Sequence, residues 1–350
     1  MRKSPTGLDQ THRTSVTPAI PALSSTPQSE SSTTSRRITF PSYSGLSTDA
    51  LMRSIVQSAF DPEVQVEVER LWTPSAWRIN SGNPGPAVSI FGGVHGNEPC
   101  GIYAVCELLR RLVSGAMPLE CGSVLLCIAN EQAVFHGVRA TGLNMNRMFE
   151  DERHVDTSYL FRRTEALKSL LEDSDIHIDL HSTSQPSTPF IFLEHENRAE
   201  ISNINIPFVV TLESSEMHKD FAGTTQSFAR RRGAKAYTVE NGQHEDPRSR
   251  EHALQVSIDF LKREGLVPNG DRQIGSPRVL KQFLMHTKQT DDFHFRKPFR
   301  SFEHLKQGEI IGTEGGEILI APQDCYIILP TMPEKEPYGA YLYFLAVEID

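Results

Sequence analysis

The stretch 87-AVSIFGGVHGNEPCG-101 decides the fold. An apolar run of strand length meets a Gly-Gly pair, and Pro99 then signals a helix start, where a missing N–H costs nothing. Beyond it, Ile102, Val105, Leu109 and Leu112 in 98-EPCGIYAVCELLRRLV-113 recur at helical spacing, so one stripe of that helix faces a core. Strand, tight turn and helix in immediate succession make the repeating unit of an α/β fold.

Outward from this unit the pattern repeats. Strands are expected at 64-VQVEVERLW-72, 123-SVLLCIA-129, 176-IHIDLHS-182, 189-PFIFLE-194, 207-PFVVTLE-213 and 235-KAYTVEN-241, with helices over 158–173, 224–232 and 248–264. The expectation is an α/β domain over 46–267, a mixed and largely parallel sheet flanked by helices. Turn formers cluster in 268-PNGDRQIGSP-277. After them, 309-EIIGT-313, 317-EILIAP-322, 325-CYIILP-330 and 341-YLYFLAVEI-349 read as a smaller, all-β C-terminal domain over 278–350. Residues 1–45 hold 18 Ser or Thr, five Lys or Arg and only two acids, with no apolar periodicity. They read as a disordered tail, and their composition also fits an organellar transit peptide.

The 350 residues carry 44 acids against 35 bases, a net charge of −9, and no long basic stripe, which argues against nucleic acid as a partner. No apolar window reaches the roughly 20 residues of a membrane span. Five cysteines without a C-x-x-C pair are not a disulfide framework, so a reducing, cytoplasmic setting is the simpler expectation. A homo-oligomer is compatible with all of this.

Chemistry concentrates at two places. At the strand-to-helix turn, His95 and Glu98 bring an imidazole and a carboxylate toward one point, a normal pair of ligands for catalytic zinc; alone, H-x-x-E is commonplace. In 176-IHIDLHS-182, Asp179 and His181 share one face of a strand, and His181 sits at its carboxyl end, where open α/β sheets bind ligands. His177 lies deeper and reads as structural. Glu240 closes another strand in the same way.

Together these motifs resemble the succinylglutamate desuccinylase and aspartoacylase family of the zinc carboxypeptidase-like superfamily. The matching text is G-x-H-G-N-E-x-x-G from Gly93 to Gly101, the frame from Arg139 to Arg147 ending in N-R, D-L-H-S-T from Asp179 to Thr183, and E-x-G from Glu240 to Gly242. The resemblance implies one zinc ion per chain on His95, Glu98 and His181, with Glu240 as the carboxylate that activates the attacking water. It makes Arg139 the group that polarises the scissile carbonyl, and Asn146 and Arg147 the grip on a substrate carboxylate. Arg230, ten residues before Glu240, would be a second carboxylate contact. Asn144 departs from the pattern, because the family commonly has an acid there. The implied activity is hydrolysis of an N-acyl amino acid, such as an N-succinyl or N-acetyl acidic amino acid. The alternatives are a peptide carboxypeptidase and a silent zinc-binding regulator.

Overall fold

The computed structural model describes residues 43–150, 158–193, 198–212, 222–269 and 276–349. Of the expected N-terminal tail, all but the last three residues lie outside this set. The described residues belong to one compact unit.

The first element among the described residues is α1 (Thr48–Ala59), whose first turn is capped by Ser47 Oγ accepting from Ala50 N. Then follow β1 (Glu67–Arg70), β2 (Ala76–Asn80), β3 (Ala87–Gly92), α2 (Pro99–Val113), β4 (Ser123–Ile128) and α3 (Glu131–His136). Next come α4 (Tyr159–Leu171), β5 (Ile176–Thr183), β6 (Phe190–Leu193), β7 (Phe208–Leu212), α5 (Thr225–Arg231), β8 (Lys235–Gln243) and α6 (Pro247–Arg263). The C-terminal third supplies β9 (Arg278–Thr287), β10 (His294–Phe295), β11 (Glu303–Leu305), β12 (Ile310–Glu314), β13 (Glu317–Ile320), β14 (Cys325–Ile328) and β15 (Tyr341–Ile349).

Twelve strands form one sheet in the order β1-β2-β4-β3-β5-β8-β6-β7-β9-β15-β14-β11. At its heart β4, β3, β5 and β8 are mutually parallel, which accounts for their continuous apolar text: strands covered on both faces do not alternate. Phe91 and Leu125 pack on one face against Leu167 and Leu170 of α4 and Phe228 of α5. On the opposite face α2 lies so close to β3 that a Cβ at Gly92 would stand 2.4 Å from the Gly101 carbonyl carbon. Both glycines are required by that approach.

The expected mixed sheet with flanking helices is the observed architecture, but it is parallel mainly at its centre: the pairings on either flank, β1-β2-β4 and β9-β15-β14-β11, are antiparallel. Strand β9 runs parallel to β7 and antiparallel to β15, so the sheet continues across the turn-rich break into the C-terminal β region. Only β10, β12 and β13 form a separate, three-stranded antiparallel sheet. All five cysteines are free. Among the described residues no helix is long and apolar enough to cross a membrane.

Candidate active site

Three neighbouring parallel strands deliver the reactive groups to one edge. Strand β3 ends at Gly92, and Gly93, at φ +67°, turns the chain so that His95 follows at once and Glu98 becomes the N-cap of α2. Strand β5, buried along its whole length, brings His181 to the same edge. On β8, Glu240 is the direct register partner of His181. The shared edge is the carboxyl end of the sheet, where the topology of open α/β folds leaves a crevice.

His95, Glu98 and His181 are buried, and one ligand atom from each lies within 4.8 Å of the others, so the trio could hold a metal ion. His95 Nδ1 stands 2.8 Å from Glu98 Oε1, His181 Nδ1 stands 2.9 Å from Glu98 Oε2, and the two Nδ1 atoms are 3.2 Å apart. Both imidazoles thus turn the same nitrogen inward. The outward nitrogens are held from behind, His181 Nε2 by Asp179 at 2.9 Å and His95 Nε2 by Asn144 Oδ1 at 3.1 Å. Such outer partners fix ring orientation and tautomer at metal sites. At Asn144 it is a neutral amide that does the orienting. Asp179 in turn accepts from Thr225 Oγ1 at 2.5 Å, which ties the ligand frame to the start of α5.

The electrostatics of the trio call for a positive charge at its centre. Burial opposes ionisation of Glu98, yet the two imidazoles outweigh it and hold the carboxyl well below its usual range. Burial pushes His95 down, whereas at His181 the Asp179 and Glu98 carboxylates overcome burial and raise the ring well above its usual value. A dication among two imidazole nitrogens and a carboxylate satisfies the same need, and this donor set suits zinc. His177 is buried beside Ser89 Oγ at 2.9 Å, and burial lowers it to about 4, so it is the structural histidine expected.

Glu240 faces the trio from β8. Its Oε2 is buried without a hydrogen-bond partner among the described residues. Burial, reinforced by the Glu98 carboxylate, raises its pKa to about 7 against the opposing pull of His181 and Arg139. A carboxyl poised there is matched to moving protons near neutrality. Arg139, half-exposed, donates from Nη1 to Glu98 Oε1 at 3.1 Å. Asn146 Oδ1 accepts from Thr225 N, and Arg147 Nη1 donates to the Asn146 carbonyl, which fixes this pair on the short 3₁₀ turn Met145–Arg147. That turn is capped by Asn144, whose Oδ1 also accepts from Asn146 N at 3.0 Å. One amide thus links the His95 frame to Asn146 and Arg147.

These groups open onto a cavity of about 370 Å³ lined by His95, Glu98, Arg139, Asn144, Arg147 and Glu240 from the sheet side. An inner recess of about 60 Å³ adjoins it, sharing Arg139, Arg147 and Glu240 and adding Asn146, His181, Phe192 and Phe344. Seven of the eight residues singled out from the sequence line one or both spaces. Arg230 lines neither: its Nη2 donates to Glu200 at 3.0 Å and its Nε to the Ala236 carbonyl. The cause is geometric, because the N-terminal end of α5, with Thr224, meets the recess, and Arg230 lies in the last turn.

Sequence reading missed the opposite wall, which includes Ser301, Leu329, Thr331, Glu336 and Tyr341 from the C-terminal third, and also missed Ser182, Gln185 and His244. The first group carries no local motif. In the second, Ser182 lies within D-L-H-S-T while Gln185 and His244 follow D-L-H-S-T and E-x-G closely, and that proximity was the available signal.

A model of the succinylglutamate desuccinylase/aspartoacylase catalytic domain matches residues 84–258. The chain belongs to this family. It is 23% identical over 248 residues to a succinylglutamate desuccinylase of Vibrio campbellii, covering 66% of this chain and 72% of that one. It is 33% identical over 124 residues to an aspartoacylase of Xenopus tropicalis, covering 32% and 39%. The crystal structure of a succinylglutamate desuccinylase from Vibrio cholerae superposes with a TM-score of 0.67 at 20% identity, over 84% of this chain and 94% of that chain. Family membership points to amide hydrolysis of the desuccinylase/aspartoacylase type.

Proposed function

We propose that the protein is a zinc-dependent deacylase that cleaves a small anionic N-acyl amino acid, such as an N-succinyl or N-acetyl acidic amino acid, to the free amino acid and a carboxylate. The observation that carries this reading is the convergence of His95, Glu98 and His181 within 4.8 Å beside Glu240 and Arg139 on one cavity. The metal would be held by His95 Nδ1, His181 Nδ1 and Glu98, and when bound it supplies Lewis-acid polarisation and a stronger water nucleophile. Glu240, as carboxylate, takes the proton of the attacking water and returns it to the leaving nitrogen, so no free amide anion departs. The Arg139 guanidinium stabilises the oxyanion that develops on the acyl oxygen. Arg147, with Asn146 beside it, offers a planar fork for the substrate carboxylate, a recognition that lysine cannot reproduce.

The C-terminal wall favours a small substrate over a peptide, because residues such as Leu329 and Tyr341 flank both the cavity and the recess. Retention of Glu240, Arg139 and Arg147 around the ligand trio favours an enzyme over a silent relative. The test is a screen of N-acyl amino acids and short peptides with zinc-loaded protein, following primary amine. Release from acyl amino acids with little from peptides is expected; the reverse preference would replace this reading with a carboxypeptidase, and no release from either would end it.

A further inference from the structure

The outer cavity contains more hydrogen-bonding capacity than the reaction uses. Beyond the metal trio, Glu240 and the arginines, it is lined by Ser182, Gln185 and His244. Gln185 Nε2 is buried without a partner among the described residues. Native proteins rarely leave a buried donor unpaired, so such an atom in a cavity wall asks for a ligand. His244 is held in place by its neighbours. Its backbone N donates to the Thr183 carbonyl at 2.9 Å, and its Nδ1 lies 2.8 Å from Ser182 Oγ. Ser182 is itself anchored, its backbone N donating to Glu98 Oε2 at 3.1 Å. The imidazole is therefore fixed relative to the ligand trio. A local irregularity in the β5–β8 pairing after His181, with Gly242 at φ +100°, carries the chain into this position; irregularities of this kind commonly re-aim side chains next to active sites.

Ser182 Oγ and His244 Nδ1 share a hydrogen bond whose donor is set by the ring tautomer. With Nδ1 accepting, the neutral ring carries its proton on Nε2, which has no partner among the described residues. The chamber wall thus holds His244 and Gln185 as hydrogen-bonding groups in addition to the guanidiniums at its inner end.

We propose that His244 is a substrate-contacting, specificity-determining residue that, with Gln185, binds a carboxylate on the part of the substrate extending from the scissile amide into the outer chamber. The inference deepens the deacylase reading and rests on it. The shared chemistry is a carboxylate acceptor, whether it belongs to the acyl group or to the amino-acid side chain. Steady-state kinetics on zinc-loaded wild type, His244→Ala and His244→Gln would use two matched substrate pairs. N-succinyl- and N-butyryl-L-glutamate differ only at the end of the acyl chain; N-acetyl-L-glutamate and N-acetyl-L-norvaline differ only at the end of the side chain.

In one pair, His244→Ala should raise KM about tenfold for the carboxylate-bearing member and leave its partner nearly unchanged, with kcat preserved; a hydrogen bond to a charged group is worth about that much. Glutamine, which keeps a donor, should restore much of the loss. The pair that responds assigns the carboxylate to its source. Equal losses for both members of both pairs, a fall in kcat without a change in KM, or no change at all would overturn the proposal. If wild type hydrolyses none of the four, the deacylase reading has failed, and calorimetric binding of succinate against acetate tests the chamber separately. Weaker succinate binding in His244→Ala, with acetate binding unchanged, is the result expected there, and equal succinate binding in both proteins would overturn it.

Discussion

The two walls of the cavity were built in different ways. The sheet-side wall takes His95, Glu98, His181 and Glu240 from consecutive parallel strands, β3, β5 and β8, whose carboxyl ends lie in register, so these four sit at or shortly beyond a strand end, while Arg139 and Arg147 come from the segment that follows α3. The opposite wall comes from loops and strands of the C-terminal third, brought back by β9 and β15, and its residues share no spacing. The difference teaches that the groups proposed for the reaction are carried by short local text, whereas the shape of the opposite wall is carried by long-range topology. The two walls should accordingly fail in different ways when changed.

The largest effect belongs to the sheet-side wall. Glu240→Gln should keep its zinc and substrate affinity but lose about 10²–10⁴-fold in kcat, because an amide cannot take the proton. Near-normal turnover at matched zinc content would break the assignment. A smaller effect separates the two arginines. Arg147→Lys should raise KM about 10- to 100-fold for N-acyl amino acids and much less for an N-acyl amine without the carboxylate. Arg139→Lys should instead lower kcat about tenfold for both compounds, since they share the oxyanion. Equal losses for both compounds in Arg147→Lys would show that its carboxylate contact is misassigned.

The C-terminal wall predicts loss of shape without loss of metal. Lys288 is buried, and its Nζ donates to the Pro333 and Glu336 carbonyls at 3.2 and 3.0 Å, which stitches down the segment leading to Tyr341. Lys288→Met should cost about 1–3 kcal/mol, the price of two carbonyls losing their donor, and should raise KM with zinc content unchanged. Chemical denaturation and steady-state kinetics would measure both; metal loss in this variant would erase the distinction between the walls.

The smallest effect lies farthest from the chemistry. Glu314 is buried and accepts from Gln289 N, Thr290 N and His286 Nε2 at 2.7, 3.0 and 2.8 Å. Burial would raise its pKa, but these donors prevail and hold the carboxyl below its ordinary value. A depressed carboxyl stabilises the fold fully above its unfolded pKa, about 4.3, and the benefit fades as pH falls from there through the folded value. Glu314→Gln should therefore cost about 1–2 kcal/mol at pH 7, and the gap to wild type should narrow in acid. A gap that widens on acidification would contradict the sign.

Legibility followed the same division. Apolar runs and helix starts mark β3, α2, β4, β5 and β8 because buried parallel strands need unbroken apolar text. Strand β9 escaped notice because 278-RVLKQFLMHT-287 mixes charge and apolarity, as a strand does when only part of it is buried. That strand is the seam joining the C-terminal region to the main sheet, so missing it hid the continuity. Helix α1 and strand β2 were likewise not read. At the site, His95, Glu98, His181 and Glu240 could be placed from motif position alone, since strand ends converge. Arg230 could not, because spacing along a helix does not say which end meets the cavity. Tyr341 and Leu329 needed the tertiary fold.

The central claim is that His95, Glu98 and His181 form a zinc site. Its most direct test is elemental analysis of the purified protein beside His95→Ala and His181→Ala, each checked for native folding by circular dichroism. About one zinc per chain in wild type, and loss of metal from both folded variants, is the result expected of a three-ligand catalytic site. Unchanged zinc in both variants, or a wild type that binds none at saturating zinc, would contradict it.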